Sequence, residues 1–468
     1  MIVMKFGGTS VGSAKGISLV SDLVIRENRQ RVVVVSAMTG ITDELNRIAK
    51  KVINIPSSVV EEEVERFQRG ILSRHNSVAN AVIKDNEILK DILNSIAQLS
   101  DELKIALLGV GYLEELSPKS LDYILSFGER FSVQILTGVL RSRGENVRAL
   151  TGYEAGIITD SSFGQARPIH ERIKDSIKNN LRPLLDDGII PVVTGFIAAD
   201  EKGSITTLGR GGSDYTASLI GKYLDAEEVQ IWTDVDGILT ADPRIVPEAR
   251  LIPTLSYVEA SDLAYFGTKV IHSKMIEPAM DSNIPVYIKN TFNPDCKGTL
   301  IVKEQEKIGS IVKALSIAKN VTIVSLKGVG MAETPNIAGK IFTELGRNNI
   351  NIIMISGSSE TNLSFVIRNE NLSDAVELLN ARFIGNGIRN LELIENVCII
   401  TVVGVGMQGT KGIAAKIFNT VAEENVNIIM IAQGSSEVNI SFIVREEDGD
   451  RTLRALHRRF IEKSQNFT

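Results

Sequence analysis

Two stretches of this 468-residue chain repeat one another at a spacing of 76 residues. Gly328-Val329-Gly330-Met331 returns as Gly404-Val405-Gly406-Met407, and 12 of 24 positions are identical between 328–351 and 404–427. Asn351-Ile352-Ile353-Met354-Ile355 equals Asn427-Ile428-Ile429-Met430-Ile431, and Ser358-Ser359-Glu360 returns, after one inserted residue, as Ser435-Ser436-Glu437. Such a period marks a duplicated supersecondary unit. Each copy reads strand, glycine-containing turn, helix, strand, tight turn, strand, helix. In copy one the pattern predicts elements at 321–326, 335–347, 350–355, 362–367 and 371–382, with a closing strand at 390–395. Copy two ends with its helix near Arg451–Phe460 and lacks room for that strand, whereas the apolar stretch Ile308–Ile317 is unassigned. We expect this stretch to complete copy two. The copies then occupy 318–395 and 304–317 plus 396–468, the first inserted within the second.

Residues 1–300 follow another rhythm. Short apolar runs rich in β-branched residues, Ile2–Phe6, Val32–Ala37, Ile189–Phe196, Val229–Thr233 and Val286–Lys289, alternate with helical patterns. This predicts an α/β domain whose mostly parallel open sheet is covered by helices on both faces. From about 59 to 116 only helix-period apolar positions occur, so a helical insertion is expected there, with Glu61-Glu62-Glu63 on a solvated face.

Composition excludes several classes. Hydrophobic residues make up 43% and charged residues 23%, a globular balance, and the formal net charge of −6 gives no reason to expect nucleic acid or an anionic membrane as partner. Two cysteines cannot build a disulfide framework or a cysteine zinc site, and with only four scattered histidines a multi-histidine metal centre is not expected. A charge at Lys5 precedes any apolar run of signal-peptide length, so a cytoplasmic protein is expected.

Gly404-Val405-Gly406-Met407-Gln408-Gly409 formally satisfies the dinucleotide pattern G-x-G-x-x-G. Copy one has Glu333 at the third glycine position, the next strand ends in Ala432-Gln433 without a ribose-binding carboxylate, and a hairpin follows instead of a crossover. What remains is a glycine-lined turn, suited either to tight turning alone or to holding a small carboxylate on free backbone amides.

Chemistry-bearing residues cluster elsewhere. Lys5-Phe6-Gly7-Gly8 ends the first strand, where open parallel sheets place ligands, and pairs a compact cation with glycines that admit phosphate oxygens; the spacing is not that of a P-loop. Ser36 and Thr42 follow the second strand, with helix capping as the simpler role for Thr42. Arg210, set between glycines in Gly209-Arg210-Gly211-Gly212-Ser213-Asp214, suits a bidentate grip on a carboxylate. Thr233-Asp234-Val235-Asp236-Gly237 and Ala241-Asp242-Pro243-Arg244 form a carboxylate-rich stretch that is either a metal or nucleotide loop or a pair of Asx-turns, without the EF-hand spacing that calcium would need. Phe127-Gly128-Glu129-Arg130 and Phe266-Gly267-Thr268-Lys269 complete the set.

Taken together, KFGGTS at 5–10, VSAMTGIT at 35–42, SFGER at 126–130, TTLGRGGSD at 206–214, WTDVDG at 232–237, ADPR at 241–244 and FGTK at 266–269, followed by the duplicated module, closely resemble the aspartate kinases across essentially the whole chain. The resemblance implies an amino-acid-kinase fold over residues 1–300 followed by two α+β, ferredoxin-like ACT domains that sense amino-acid end products. It implies transfer of the γ-phosphate of ATP, with Mg2+ carried by the nucleotide, to the side-chain carboxylate of L-aspartate, the first step toward lysine, threonine and methionine.

By position, the resemblance makes Lys5 and Asp214 catalytic, and gives Ser36, Thr42, Glu129, Arg210 and Ser213 to the substrate. It assigns Lys5, Gly7, Gly8, Thr233, Asp234, Leu239, Arg244, Lys269 and Val270 to the nucleotide, and Gly330, Met331, Asn336, Ile353 and Ile355 to an effector. Threonine is favoured over lysine as that effector, and a homodimer or homotetramer through the ACT domains is expected. Leu239 stands where many relatives carry an aromatic residue, and Ser273-Lys274 follows His272 where many carry a proline. Other acceptors, namely glutamate, N-acetylglutamate or a nucleoside monophosphate, and a non-catalytic amino-acid sensor remain alternatives; Glu129 paired with Arg210 favours a free α-amino acid. Fusion to a homoserine dehydrogenase is not expected, since the chain stops at Thr468.

Overall fold

The β-branched runs form strands in the order written. In the first 303 residues these are β1 (Ile2–Phe6), β2 (Arg31–Val35), β3 (Val147–Leu150), β4 (Ile158–Thr159), β5 (Ile190–Thr194), β6 (Ile197–Asp200), β7 (Ile205–Thr207), β8 (Glu228–Thr233), β9 (Thr254–Ser256), β10 (Val286–Asn290) and β11 (Thr299–Val302). The computed structural model describes residues 1–266, 271–303, 311–328, 337–359, 362–385 and 388–462. The chain divides into two units, one of 1–238, 253–257 and 270–304, the other of 239–252, 258–269 and 305–468.

In the first unit eight strands pair in the order β3-β5-β2-β1-β8-β10-β11-β9, parallel from β3 to β10, with β11 antiparallel to β10. β4, β6 and β7 make a small separate sheet. Strands buried along their whole length, such as Ile2–Phe6, explain why those runs carry almost no polar residues. Helices Ser57–Val82 and Asn86–Leu113 fill the interval predicted to be helical. Their apolar stripes, Val60, Val64 and Ile71 on one and Ile92, Ile96, Leu103 and Leu107 on the other, join the core around Phe127 and Phe131.

The C-terminal unit contains a six-stranded sheet of β12 (Ala314–Lys327), β13 (Met354–Ser359), β14 (Asn362–Arg368), β15 (Asn390–Val403), β16 (Met430–Gln433) and β17 (Asn439–Arg445), in the order β13-β14-β12-β15-β17-β16. The two long strands are shared between the copies. The first half of β12, Ala314–Ala318, pairs antiparallel with Ile399–Val403 of copy two, and its second half pairs with both β14 and β15. Val312 and Leu315 are buried with Ile400, Val402, Ile417 and Phe442 under copy two's helices. Positions 308–310 of the stretch expected to complete copy two lie outside the described residues.

Residues alternate along these strands. Val324 and Leu326 face the helices of copy one, whereas Val321 and Ile323 meet Val397, Ile399 and Ile443 on the opposite face. Asn320 and Asn396, 76 positions apart, both take left-handed backbone (φ 59° and 56°), which breaks each long strand between its two halves. The strand predicted at 350–355 begins only at Met354. Asn349, left-handed at φ 56°, turns the chain out of the preceding helix, and Ile350–Ile353 are needed to bring it back to the sheet. Among the described residues no helix is long and apolar enough to cross a membrane.

Candidate active site

Parallel pairing decides what meets at the carboxyl edge of the sheet. Phe6 is in register with Val35 on one side and Trp232 on the other, and Val35 with Thr194, so residues 7, 36, 195 and 233 emerge side by side. The Gly7 amide donates to the Trp232 carbonyl (3.0 Å), the Ser36 amide to the Phe6 carbonyl (3.1 Å) and the Gly195 amide to the Val35 carbonyl (2.8 Å), which locks the four loop starts together. A Cβ on Gly8 would lie 2.8 Å from the Ala37 carbonyl oxygen, so only glycine permits that approach. Gly195 likewise backs onto Ser213, whose Cβ would be 2.5 Å from an added one.

Lys5, on β1, is buried and its ammonium meets the carboxylate of Asp214 at 2.5 Å. Asp214 stands in the first turn of helix Gly212–Tyr223, whose N-cap is the left-handed Gly211 and receives no side-chain cap. The carboxylate is spent on the lysine rather than on the helix. Thr42 also caps nothing, because helix Ile41–Val52 starts from Gly40 at φ 82°. Ser36 and Thr42 are half-buried; Thr233 ends β8 and Asp234 follows it, the Thr233 hydroxyl donating to Asp234 at 3.2 Å.

Glu129, 3% exposed, comes from the first turn of helix Phe127–Ser142. Its Oε1 accepts the Ala37 amide (3.1 Å) and its Oε2 has no partner among the described residues. Burial pushes its carboxyl up to about 8, opposed by the Ala37 amide and the Lys5 charge. Between an unfolded value near 4.5 and that native value the folded chain holds one more proton than the unfolded one, so this group's contribution to stability falls as pH rises across the window.

Arg210 is exposed on its glycine turn, with no carboxylate partner among the described residues. His272 and Lys274 sit against that turn: a Cβ on Gly211 would lie 2.5 Å from the His272 ring, and Lys274 donates to the Leu208 carbonyl (3.2 Å). Nothing in the local sequence signals either contact. Asp236 is engaged by Asn290 (2.7 Å) and Asn293 (3.0 Å), which favours a structural turn there. Leu239 and Arg244 fall in the second unit, and the Arg244 guanidinium is paired with Asp242. Lys269 and Val270 lie outside the described residues, as do Gly330, Met331 and Asn336.

In the second unit Ile353 donates its amide to the Val366 carbonyl (2.8 Å) and packs beneath the sheet, while Ile355 is 48% exposed. The glycine-lined turn of copy two does hold carboxylates: Val405 N–H donates to Glu259 (2.8 Å) and Gly409 N–H to Glu437 (2.7 Å). Glu259 is fully buried and also meets the Lys313 ammonium at 3.3 Å. Two amides of the nucleotide-like pattern are thus already used by the chain's own side chains.

Residues 1–290 match the amino acid kinase family model, and residues 324–383 and 400–460 match an ACT domain model. Aspartokinase 2 of Arabidopsis thaliana chloroplasts is 33% identical over 98% of this chain and 84% of its own length. The chain spans about half the length of the bifunctional aspartokinase/homoserine dehydrogenases of Arabidopsis thaliana and Zea mays that it also matches. Among solved structures, E. coli aspartokinase III in complex with aspartate and ADP superimposes with a TM-score of 0.83 at 29% identity, covering 98% of this chain and 99% of that one. The same enzyme in complex with lysine and aspartate gives 0.77, at the same identity and coverage. An amino acid kinase domain with the Lys5–Asp214 pair at its sheet edge, two ACT repeats and this similarity along nearly the whole chain make the protein a member of the aspartokinase family.

Proposed function

We propose that the chain transfers the γ-phosphoryl group of MgATP to the side-chain carboxylate of L-aspartate, giving 4-phospho-L-aspartate and ADP. The observation that carries this reading is the buried Lys5–Asp214 pair beside the unpartnered oxygen of Glu129. A carboxylate oxygen of aspartate forms the new O–P bond while the bond to the β-phosphate oxygen breaks. Such a transfer needs positioning and positive charge more than a covalent nucleophile. Lys5 supplies the charge to the moving phosphoryl, Gly7 and Gly8 let the backbone approach it, and Asp214 holds the Lys5 ammonium in place.

Arg210 grips the α-carboxylate, Glu129 receives the α-ammonium, and Ser36, Thr42 and Ser213 line the substrate pocket. Thr233 and Asp234 sit where the nucleotide would be met; the family resemblance adds Leu239, Arg244, Lys269 and Val270. A magnesium ion brought in with the nucleotide would neutralise the charge of its phosphates.

The ACT copies read as effector sensors, copy one inserted within copy two, with Ile353 and Ile355 beside the effector and threonine favoured over lysine. Ile355 and Ile431, at equivalent positions of the edge strands β13 and β16, are 48% and 47% exposed, which supports assembly into a dimer or tetramer through those edges.

The test is coupled ADP release with MgATP and L-aspartate, glutamate or N-acetylglutamate, each with and without millimolar threonine or lysine. Turnover on aspartate alone, suppressed by one effector, is expected; turnover confined to another acceptor, or none, overturns the reading. Glu129 adds a sharper signature. An ammonium beside it favours its ionised form, so aspartate binding near pH 7 should release close to one proton. Calorimetry in buffers of different ionisation enthalpy measures this, and a Glu129→Gln variant should show no such release.

A further inference from the structure

We propose that Lys274, seated with His272 against the Gly209–Gly212 turn, is the positioning residue that aims Arg210 at its carboxylate. This rests on the reading of Arg210 as the α-carboxylate clamp.

The turn is an unusual place to fix an arginine. The Gly212 amide donates to the Gly209 carbonyl at 2.9 Å, and Gly211 at φ 75° and ψ 9° has the left-handed geometry of the third residue of a type II turn. Gly209 is left-handed as well, at φ 73°. A glycine on each side of Arg210 leaves the backbone free to take many other shapes, so something outside the turn has to select this one.

His272 and Lys274 grip the turn at its two ends. The His272 ring lies under Gly211, where a Cβ would come within 2.5 Å of it, and leaves no space for any other residue type there. Lys274 Nζ donates to the Leu208 carbonyl at 3.2 Å and lies 3.6 Å from where a Cβ of Gly209 would be. The two grips are tied together, because the Lys274 amide donates to His272 Nδ1 at 3.3 Å, and burial first, then the Lys274 charge, hold the imidazole below its ordinary range.

Lys274 also does something a neutral brace would not. It is half-buried, forms no ion pair among the described residues, and is held below the usual lysine range by burial and by the charge of Arg167. Its ammonium is tied to the Leu208 carbonyl and not to a carboxylate among the described residues, and Arg210 is the exposed cation of the turn. The one side-chain hydrogen bond of Lys274 among the described residues is to the chain just before Gly209, so losing it should loosen the run from Leu208 to Gly212.

The test compares Lys274→Met, which keeps the length without the donor, with Lys274→Arg, which restores a donor. Loss of a charged hydrogen bond of this kind predicts a rise of about tenfold in KM for aspartate in Lys274→Met. Its kcat and its KM for MgATP should change by no more than about twofold, within the scatter of a remote substitution. Lys274→Arg should recover most of the aspartate KM. Hydrogen exchange of the Gly212 amide should quicken in Lys274→Met and return toward the parent rate in Lys274→Arg.

An aspartate KM that moves no more than the MgATP KM, or a Gly212 exchange rate unchanged in Lys274→Met, overturns the inference. If the parent chain turns over no aspartate at all, the proposed function falls instead, and the Gly212 exchange comparison still decides whether Lys274 sets the turn.

Discussion

A Lys5→Met variant is expected to lose about three orders of magnitude in kcat, the scale on which removal of a preorganised charge aimed at a developing transition state is felt. Lys5 is buried at the end of β1, and its ammonium lies 2.5 Å from Asp214. In that setting it faces little competing water, so its field on a transferring phosphoryl is barely screened. Methionine keeps the length and apolar stem, which leaves the pairing of β1 with β2 and β8 intact. The variant should fold, and its affinity for threonine or lysine should be unchanged, because the ACT copies lie in the other unit. Removing the charge that opposes neutralisation of Glu129 should also raise that carboxyl above its value of about 8. Coupled ADP release, effector titration and the pH profile of proton release measure the three effects. A kcat within tenfold of the parent would take Lys5 out of the phosphoryl site.

The second large effect concerns stability. Glu259 is fully buried between the Lys313 ammonium and the Val405 amide. Glu259→Ala strands both groups away from water, and breaking one side of a buried pair costs about 3–5 kcal/mol. Glu259→Gln keeps an acceptor for Val405 and loses only the charge pair, so it should cost less. Trp232 is the sole tryptophan and lies in the first unit, so its fluorescence reports that unit, while far-UV circular dichroism reports both. Denaturation of Glu259→Ala should therefore move the circular dichroism transition by several kcal/mol, with Glu259→Gln between it and the parent. Coincident curves for all three proteins would show that the contact contributes nothing.

The position of Glu259 also explains why the glycine pattern at 404–409 misleads. The sequence leaves that turn either a tight turn alone or a holder of a small carboxylate; in copy two, amides of the turn meet Glu259 and Glu437 of the same chain. Their residues lie 146 and 28 positions away from the amides they meet, so no window of local sequence contains the first contact.

Much else was open to reading in the sequence, for one reason. Strand runs, helix periods, glycine turns and the 76-residue repeat are local patterns, written in the side chains that form them. The helical insertion and the strands Ile2–Phe6 and Val286–Asn290 appear close to where the pattern puts them. The repeat even carries its backbone with it, since Asn349 and Asn425 are both left-handed, as are Asn320 and Asn396. The late start of β13 is not legible in the sequence, because an apolar run does not say how many of its residues the connection from the helix consumes.

Tertiary structure alone decided the partners. Parallel register brings residues 7, 36, 195 and 233 to one edge, and only then do Lys5 and Asp214 meet and does Glu129 become too buried to ionise easily. The same holds for His272 and Lys274 beneath Arg210, and for the sharing of β12 and β15 between the two copies. Local patterns specify which elements form, because their energetics are settled within a few turns or residues. Charge state and contact depend on what other elements exclude water from a group, and that is known only once distant parts of the chain have closed upon it.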